Sequence, residues 1–187
     1  TPVYDDSSKH LQEILSLSKQ VIDNVLFRGV FLEKQYEHLL DRLSKMTSDG
    51  EEIFTKLTFP KKESDYLLSH IINVWLLSVF TAGDLEIPSA ETRSLGRAAL
   101  LFDLGMLRVT PDAWMEEDQP SDDEVDRIKR HPLLTLEWLD ESYYSFDDTT
   151  RRIIKRHHER LDGSGYPLRI ASDSLSLVDN ILIVVDV

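Results

Sequence analysis

Residues 149–167 read TTRRIIKRHHERLDGSGYP, and their reading decides the fold. The first part follows the polar SFDD turn and is expected to be helical from about Thr149 to Glu159. The second part cannot continue it, because two glycines and a proline within DGSGYP defeat either regular structure. The join carries the adjacent pair His157 and His158. Neighbouring helical residues point about 100° apart, so such a pair can flank a metal cluster with each imidazole reaching a different ion. The alternative leaves one histidine in solvent beside Arg156 and Arg160 while the other packs.

Working outward, the rest of the chain also reads as helix. Leu11, Ile14, Ile22, Val25, Leu32, Tyr36, Leu39, Leu43 and Met46 recur at steps of three, four or their multiples. Gly29 interrupts that stripe, which leaves one bent helix or two shorter ones. Thr47-Ser48-Asp49-Gly50 signals a turn, with Ser48 and Glu51 able to form a capping box, and Pro60 marks the next boundary. Helices are expected from Ser64 to Phe80, stopped by Thr81-Ala82-Gly83, and from Ser89 to about Met106. MEEDQPSDDE reads as a solvated loop, Ser121 with Glu124 as a capping box opening a helix toward Arg130, and LLTLEWLDE as a helix after Pro132. Leu175 to Val187 is apolar enough for a helix or a buried strand. The fold class is all-α, with an N-terminal helical segment over 1–60 and a second unit over 61–187.

Composition narrows the function. The chain has 187 residues, 41% of them hydrophobic and 29% charged, which is the composition of a globular domain rather than a disordered one. Its formal charge of −13 would repel a phosphate backbone, which argues against general nucleic-acid binding. With no cysteine, thiolate metal sites, disulfide scaffolds and Cys nucleophiles are excluded, and a cytoplasmic location is expected. No membrane span and no leader pattern is expected either. What remains is histidine and carboxylate chemistry. His70, His131, His157 and His158 lie on or beside expected helices, whereas His10 and His38 sit in the N-terminal stripe without an assigned role. Asp103 and Asp186 are embedded in the apolar runs ALLFDLG and ILIVVDV. A bare buried carboxylate is costly, so each must pair with an arginine, cap a helix or bind a metal. Imidazole with carboxylate suits Fe, Mn, Zn or Ni, and a carboxylate can bridge two ions.

HHERLDGSGYP, residues 157–167, resembles the signature of the HD-GYP family, a branch of the HD-domain metallohydrolases. RAALLFDLGMLRVTPDAW resembles that family's AALLHDIGKxxVPD segment, IKRHPLLTLEWL its HPxxGxxxL helix, and SLSLVDNILIVVDV the start of its RILAVADVFDAL helix. The likeness covers about residues 64–187 and implies an HD-domain-like helical bundle around a cluster of Fe or Mn ions. It implies hydrolysis of a cyclic dinucleotide, typically cyclic di-GMP, by a metal-activated water. Matched motif by motif, the implied metal ligands are His70, Asp103, His131, His157, His158 and Asp186, with Asp103 and His131 also named as catalytic. Asp162, Gly163, Gly165, Tyr166 and Pro167 form the loop expected to meet substrate or a partner, such as a GGDEF-type signalling protein.

Three departures qualify the resemblance. Phe102 stands where the family has the histidine of HD, Tyr66 where some members place a glutamate ligand, and Met106 where a phosphate-facing lysine is expected. The implied site therefore holds one or two ions, with impaired or altered catalysis. A silent module that binds a partner through its GYP region is the alternative. The family continues past the aspartate matched by Asp186, so the domain is expected to be truncated at its C-terminal end. The N-terminal stripe is wide enough to pack on the catalytic core, or against a second copy to make a homodimer.

Overall fold

The computed structural model describes residues 4–48, 66–109 and 121–186. Helices α1 (Tyr4–Arg28) and α2 (Glu33–Ser48) are followed by α3 (Tyr66–Asp84), α4 (Ser89–Leu101) and the short α5 (Met106–Val109). After the second undescribed stretch come α6 (Asp122–Ile128), α7 (His131–Asp140), α8 (Asp148–Arg156) and α9 (Leu177–Val185). Among the described residues there is no strand, only an isolated bridge between Asp162 and Ala171. The all-α expectation holds. The Asp49-Gly50 end of the first turn, the Ser48–Glu51 box, the boundary at Pro60 and most of the acidic loop lie outside the described residues.

Gly29 resolves the N-terminal stripe into two helices, and Ile14, Val21, Ile22 and Val25 of α1 face Tyr36, Leu39 and Leu43 of α2. These side chains belong to one continuous apolar cluster that also takes in Ile71, Trp75, Leu95, Leu100, Ile153 and Leu182. Most of the described stripe is thus buried in this core.

Helix α3 runs through the expected stop at Thr81-Ala82-Gly83 to Asp84. Ala82 is fully buried, and the chain turns only at Glu86, whose φ of +52° accompanies a bond from Ile87 N–H to the Ala82 carbonyl. At 19 residues, α3 is long and apolar enough to cross a membrane by length and composition alone, a test that a buried core helix also passes. In the fold it buries Ile71, Ile72, Val74, Trp75 and Leu76 against α4 and α9.

Two helix ends differ from expectation in ways that build the site. Helix α4 stops at Leu101 instead of running to Met106, and the chain makes tight turns through Phe102–Gly105. The Thr135 hydroxyl of α7 captures both ends of that turn, donating to the Phe102 carbonyl and accepting from the Gly105 amide at 2.8 Å each. A Cβ at Gly105 would overlap the backbone of His131 and Thr135, so only glycine permits the approach. Helix α8 ends at Arg156 instead of Glu159, with His157 as its C-cap. Residues 177–185 are helix, started by Ser176 and Asp179 in a reciprocal capping box. Asp179 is fully buried and also accepts from Arg152 and Arg156, so it ties α9 to α8.

Candidate metal centre

His131 opens α7 and His157 closes α8, and each solves the same local problem. The His131 Nδ1–H donates to the Ile128 carbonyl at 2.7 Å, and the His157 Nδ1–H to the Ile154 carbonyl at 2.6 Å. Carbonyls at a helix end lack an intrahelical partner, so this bond satisfies them. A carbonyl can only accept, which assigns a ring proton to Nδ1 and, in the neutral ring, leaves Nε2 as a lone pair. Those two Nε2 atoms face each other at 2.9 Å. The Asp103 Oδ1 lies 3.2 Å from the first and 3.8 Å from the second. Three potential acceptors thus converge on one buried point, an arrangement suited to a bound cation.

Burial, then the neighbouring His158 and His131, hold the His157 pKa well below its ordinary value. Burial, then His131, pushes His158 down to about 4. Both rings are neutral at pH 7 and available as ligands.

The other face of Asp103 meets a second group. Its Oδ2 lies 3.7 Å from His70 Nε2, which is hydrogen-bonded to Asp186 Oδ1 at 2.9 Å. That bond is the main reason the His70 pKa is raised, while burial chiefly raises that of Asp186. Asp186 Oδ2 in turn lies 3.7 Å from His158 Nδ1. Two metal-competent groups result, Asp103 with His131, His157 and His158, and Asp103 with His70 and Asp186, each with ligand atoms within 4.8 Å of one another. All six residues expected as ligands come together, with Asp103 placed to bridge. The donor set, four imidazoles and two carboxylates, suits a divalent metal such as Fe, Mn, Zn or Ni.

Phe102 is fully buried between the groups, its ring 4.9 Å from that of His157 and 5.8 Å from that of His70. Tyr66 lies parallel to His70 with centroids 6.2 Å apart, and Met106 is buried.

The mouth is formed by the glycine-rich loop. A cleft of about 710 Å³ is lined by His157, His158, Arg160, Tyr166, Val184 and Asp186 among others. That volume is in the range of small-ligand sites. Asp162 Oδ1 accepts from the Ser164 amide and hydroxyl, which shapes the turn around Gly163. A Cβ at Gly165 would overlap the backbone of His158, Glu159 and Arg160. The Tyr166 ring, next to Pro167, then stacks on His158 at 4.7 Å.

Sequence reasoning missed Glu159, Thr135 and Asp179. Ser176-x-x-Asp179 is a capping-box pattern readable in the sequence, whereas Thr135 and Glu159 act through backbone atoms distant in the chain.

The chain is similar to several known proteins. Residues 32–187 match the family described as the HD domain. A cyclic di-GMP phosphodiesterase of Pseudomonas aeruginosa is 29% identical over 80% of this chain and 36% of its own length. A cyclic di-GMP phosphodiesterase response regulator of Xanthomonas campestris pv. campestris is 34% identical over 57% of this chain and 28% of its own. A 3'3'-cGAMP-specific phosphodiesterase of Vibrio cholerae is 31% identical over 67% of this chain and 27% of its own. The chain thus spans only about a third of the length of these curated relatives. An HDG"Y"P protein of Bdellovibrio bacteriovorus shares the fold, with a TM-score of 0.69 and 18% identity over 100% of this chain and 61% of that one. The family match over residues 32–187 shows that the chain belongs to the HD-domain family.

Proposed function

We propose that this chain is the metal-dependent phosphodiesterase unit of a signalling protein, acting on cyclic di-GMP or a related cyclic dinucleotide with Fe or Mn in one or two positions. The carrying observation is the pair of imidazole lone pairs facing each other at 2.9 Å beside Asp103. His131, His157, His158 and Asp103 would hold one ion, and Asp103, His70 and Asp186 a second. A divalent ion there supplies positive charge at a phosphodiester and lowers the pKa of the water beside it.

The chain's own residues do the rest. Backbone carbonyls fix the tautomers of His131 and His157, burial keeps His157 neutral, and Asp103 presents one oxygen to each group. The exposed Arg160 places a positive charge in the cleft, where a phosphate would lie. Phe102 removes a nitrogen ligand and Met106 a cationic one, so catalysis is slowed relative to a site carrying both. A cytoplasmic location belongs to the same reading.

The test is to load the protein with Mn²⁺ or Fe²⁺, add cyclic di-GMP, and separate products by anion exchange. Release of linear dinucleotide, lost in Asp103→Asn, is expected. Metal-loaded protein that releases none contradicts the enzymatic reading.

A second reading is a regulatory module that docks a partner, such as a GGDEF-type protein, through the loop. Leu161 and Leu168, 62% and 41% exposed beside Tyr166, favour it. Tyr166→Ala would then abolish partner capture, and unchanged capture would contradict that reading.

A further inference from the structure

Among the described residues, His158 differs from His131 and His157 in having no polar group within hydrogen-bond range of its ring to orient it. His131 and His157 are each fixed by a hydrogen bond from Nδ1 to a backbone carbonyl. The Nδ1 of His158 comes no closer than 3.7 Å to Asp186, beyond hydrogen-bond range. What lies on the His158 ring is Tyr166, stacked with centroids 4.7 Å apart and planes 26° apart.

Tyr166 is held from both sides. Its amide donates to the His158 carbonyl at 3.1 Å, and the chain after Pro167 is drawn back by Glu159. The Glu159 carboxylate is fully buried, and it accepts from the amides of Leu168 at 2.6 Å, Arg169 at 3.1 Å and Ile170 at 3.1 Å. Arg169 takes φ of +55°, a left-handed conformation that lets successive amides converge on one anion. Such a nest ordinarily serves an external anion, and here the residue next to His158 fills it.

We infer that Glu159 is a positioning residue: its carboxylate, gripped by the amides of residues 168–170, latches the loop so that Tyr166 holds the His158 ring in its place in the cleft. This deepens the metal-centre reading, since His158 is one of the six residues assigned to it, but the latch itself is a property of the chain without an ion. Amidation of Glu159 would turn an N–H donor toward backbone amides that are donors themselves, opening the latch without changing side-chain size.

The test is the imidazole C–H region of the NMR spectrum of the full chain, with the His158 resonance assigned from its loss in His158→Gln. Stacking under an aromatic ring shifts the His158 C–H signals. In Glu159→Gln and in Tyr166→Leu these signals are expected to move in the same direction toward those of an unstacked imidazole, with His131 and His157 unmoved. In Tyr166→Phe, which keeps a ring, they are expected to stay. A Glu159→Gln protein that unfolds is replaced by Glu159→Asp, whose shorter carboxylate is expected to give a partial shift. His158 signals unmoved in a folded Glu159 variant overturn the inference. Titration with Mn²⁺ follows: Glu159→Gln is expected to bind about 10- to 100-fold more weakly than the unsubstituted chain. If the unsubstituted chain binds no Mn²⁺, the metal reading falls while the NMR result still decides the latch.

Discussion

Two imidazoles that each give their one ring proton to a backbone carbonyl have only lone pairs left to present to each other. His131 and His157 are in that position, with Asp103 as the third acceptor. At this scale Phe102 is the decisive residue, because its ring touches the space of both ligand groups and offers neither a nitrogen. Phe102→His is expected to tighten Mn²⁺ binding about 10- to 100-fold by calorimetry. It is also expected to lower the melting temperature of the metal-free protein, since a buried imidazole without a partner costs stability. Unchanged affinity would mean that the residue is not directed at the ions. The six proposed ligand positions were named from motif resemblance or, like Asp103 in ALLFDLG, as a charged residue in an apolar run, and the fold brings them together. Glu159 was not named, because its partners are three backbone amides that only the folded loop brings to it.

Elements deliver these residues by where they end. Asp103 reaches His131 because α4 breaks at Leu101, and His157 points inward because α8 stops just before it. The start of α8 is secured by Asp147, whose carboxylate accepts from the Thr150 amide at 2.8 Å and from the Ser94 hydroxyl at 2.9 Å. Burial pushes the Asp147 pKa up, but the bonds from Thr150 and Ser94 and the charge of Arg97 outweigh it and leave the carboxyl below its ordinary value. A lowered carboxyl stabilises the fold above its unfolded pKa, and that contribution is lost as pH falls through the folded value. Asp147→Ala is therefore expected to cost about 0.5–2 kcal/mol at pH 7. The gap to the unsubstituted protein should narrow below about pH 4, near the ordinary aspartate value. Denaturant melts at pH 7 and pH 3 check this, and an equal gap at both would contradict it. Helix existence was legible from the periodicity of apolar residues, as in α1 and α2. The ends of α4 and α8 were not, because what stops α4 is a hydroxyl from Thr135, thirty residues further on, and what stops α8 is the His157 cap.

At the scale of the molecule, one apolar cluster runs from Ile14 in α1 to Leu182 in α9, so the N-terminal helices are expected to unfold with the rest. Ile14→Ala is expected to cost about 2–5 kcal/mol and to shift a single transition in a thermal melt. Two separate transitions would contradict a shared core. The helical architecture could be read from the chain, and packing of the N-terminal stripe on the core was one of two readings, but the contacts that join the segments could not be read. Those contacts include that of Tyr36 Oη with the Arg93 carbonyl, which joins residues far apart in sequence. The ligands come from α3, the turn after α4, and the ends of α7, α8 and α9, so an ion would clasp most of the fold at once. An ion at 100 times its Kd would add about 2.7 kcal/mol to stability. The most direct measurement is elemental analysis of protein purified without chelator or histidine tag, beside His157→Ala. One or two Fe or Mn ions per chain, reduced in the variant, is the expected result. No bound metal, even after anaerobic reconstitution with Fe²⁺ or Mn²⁺, would contradict the metal centre.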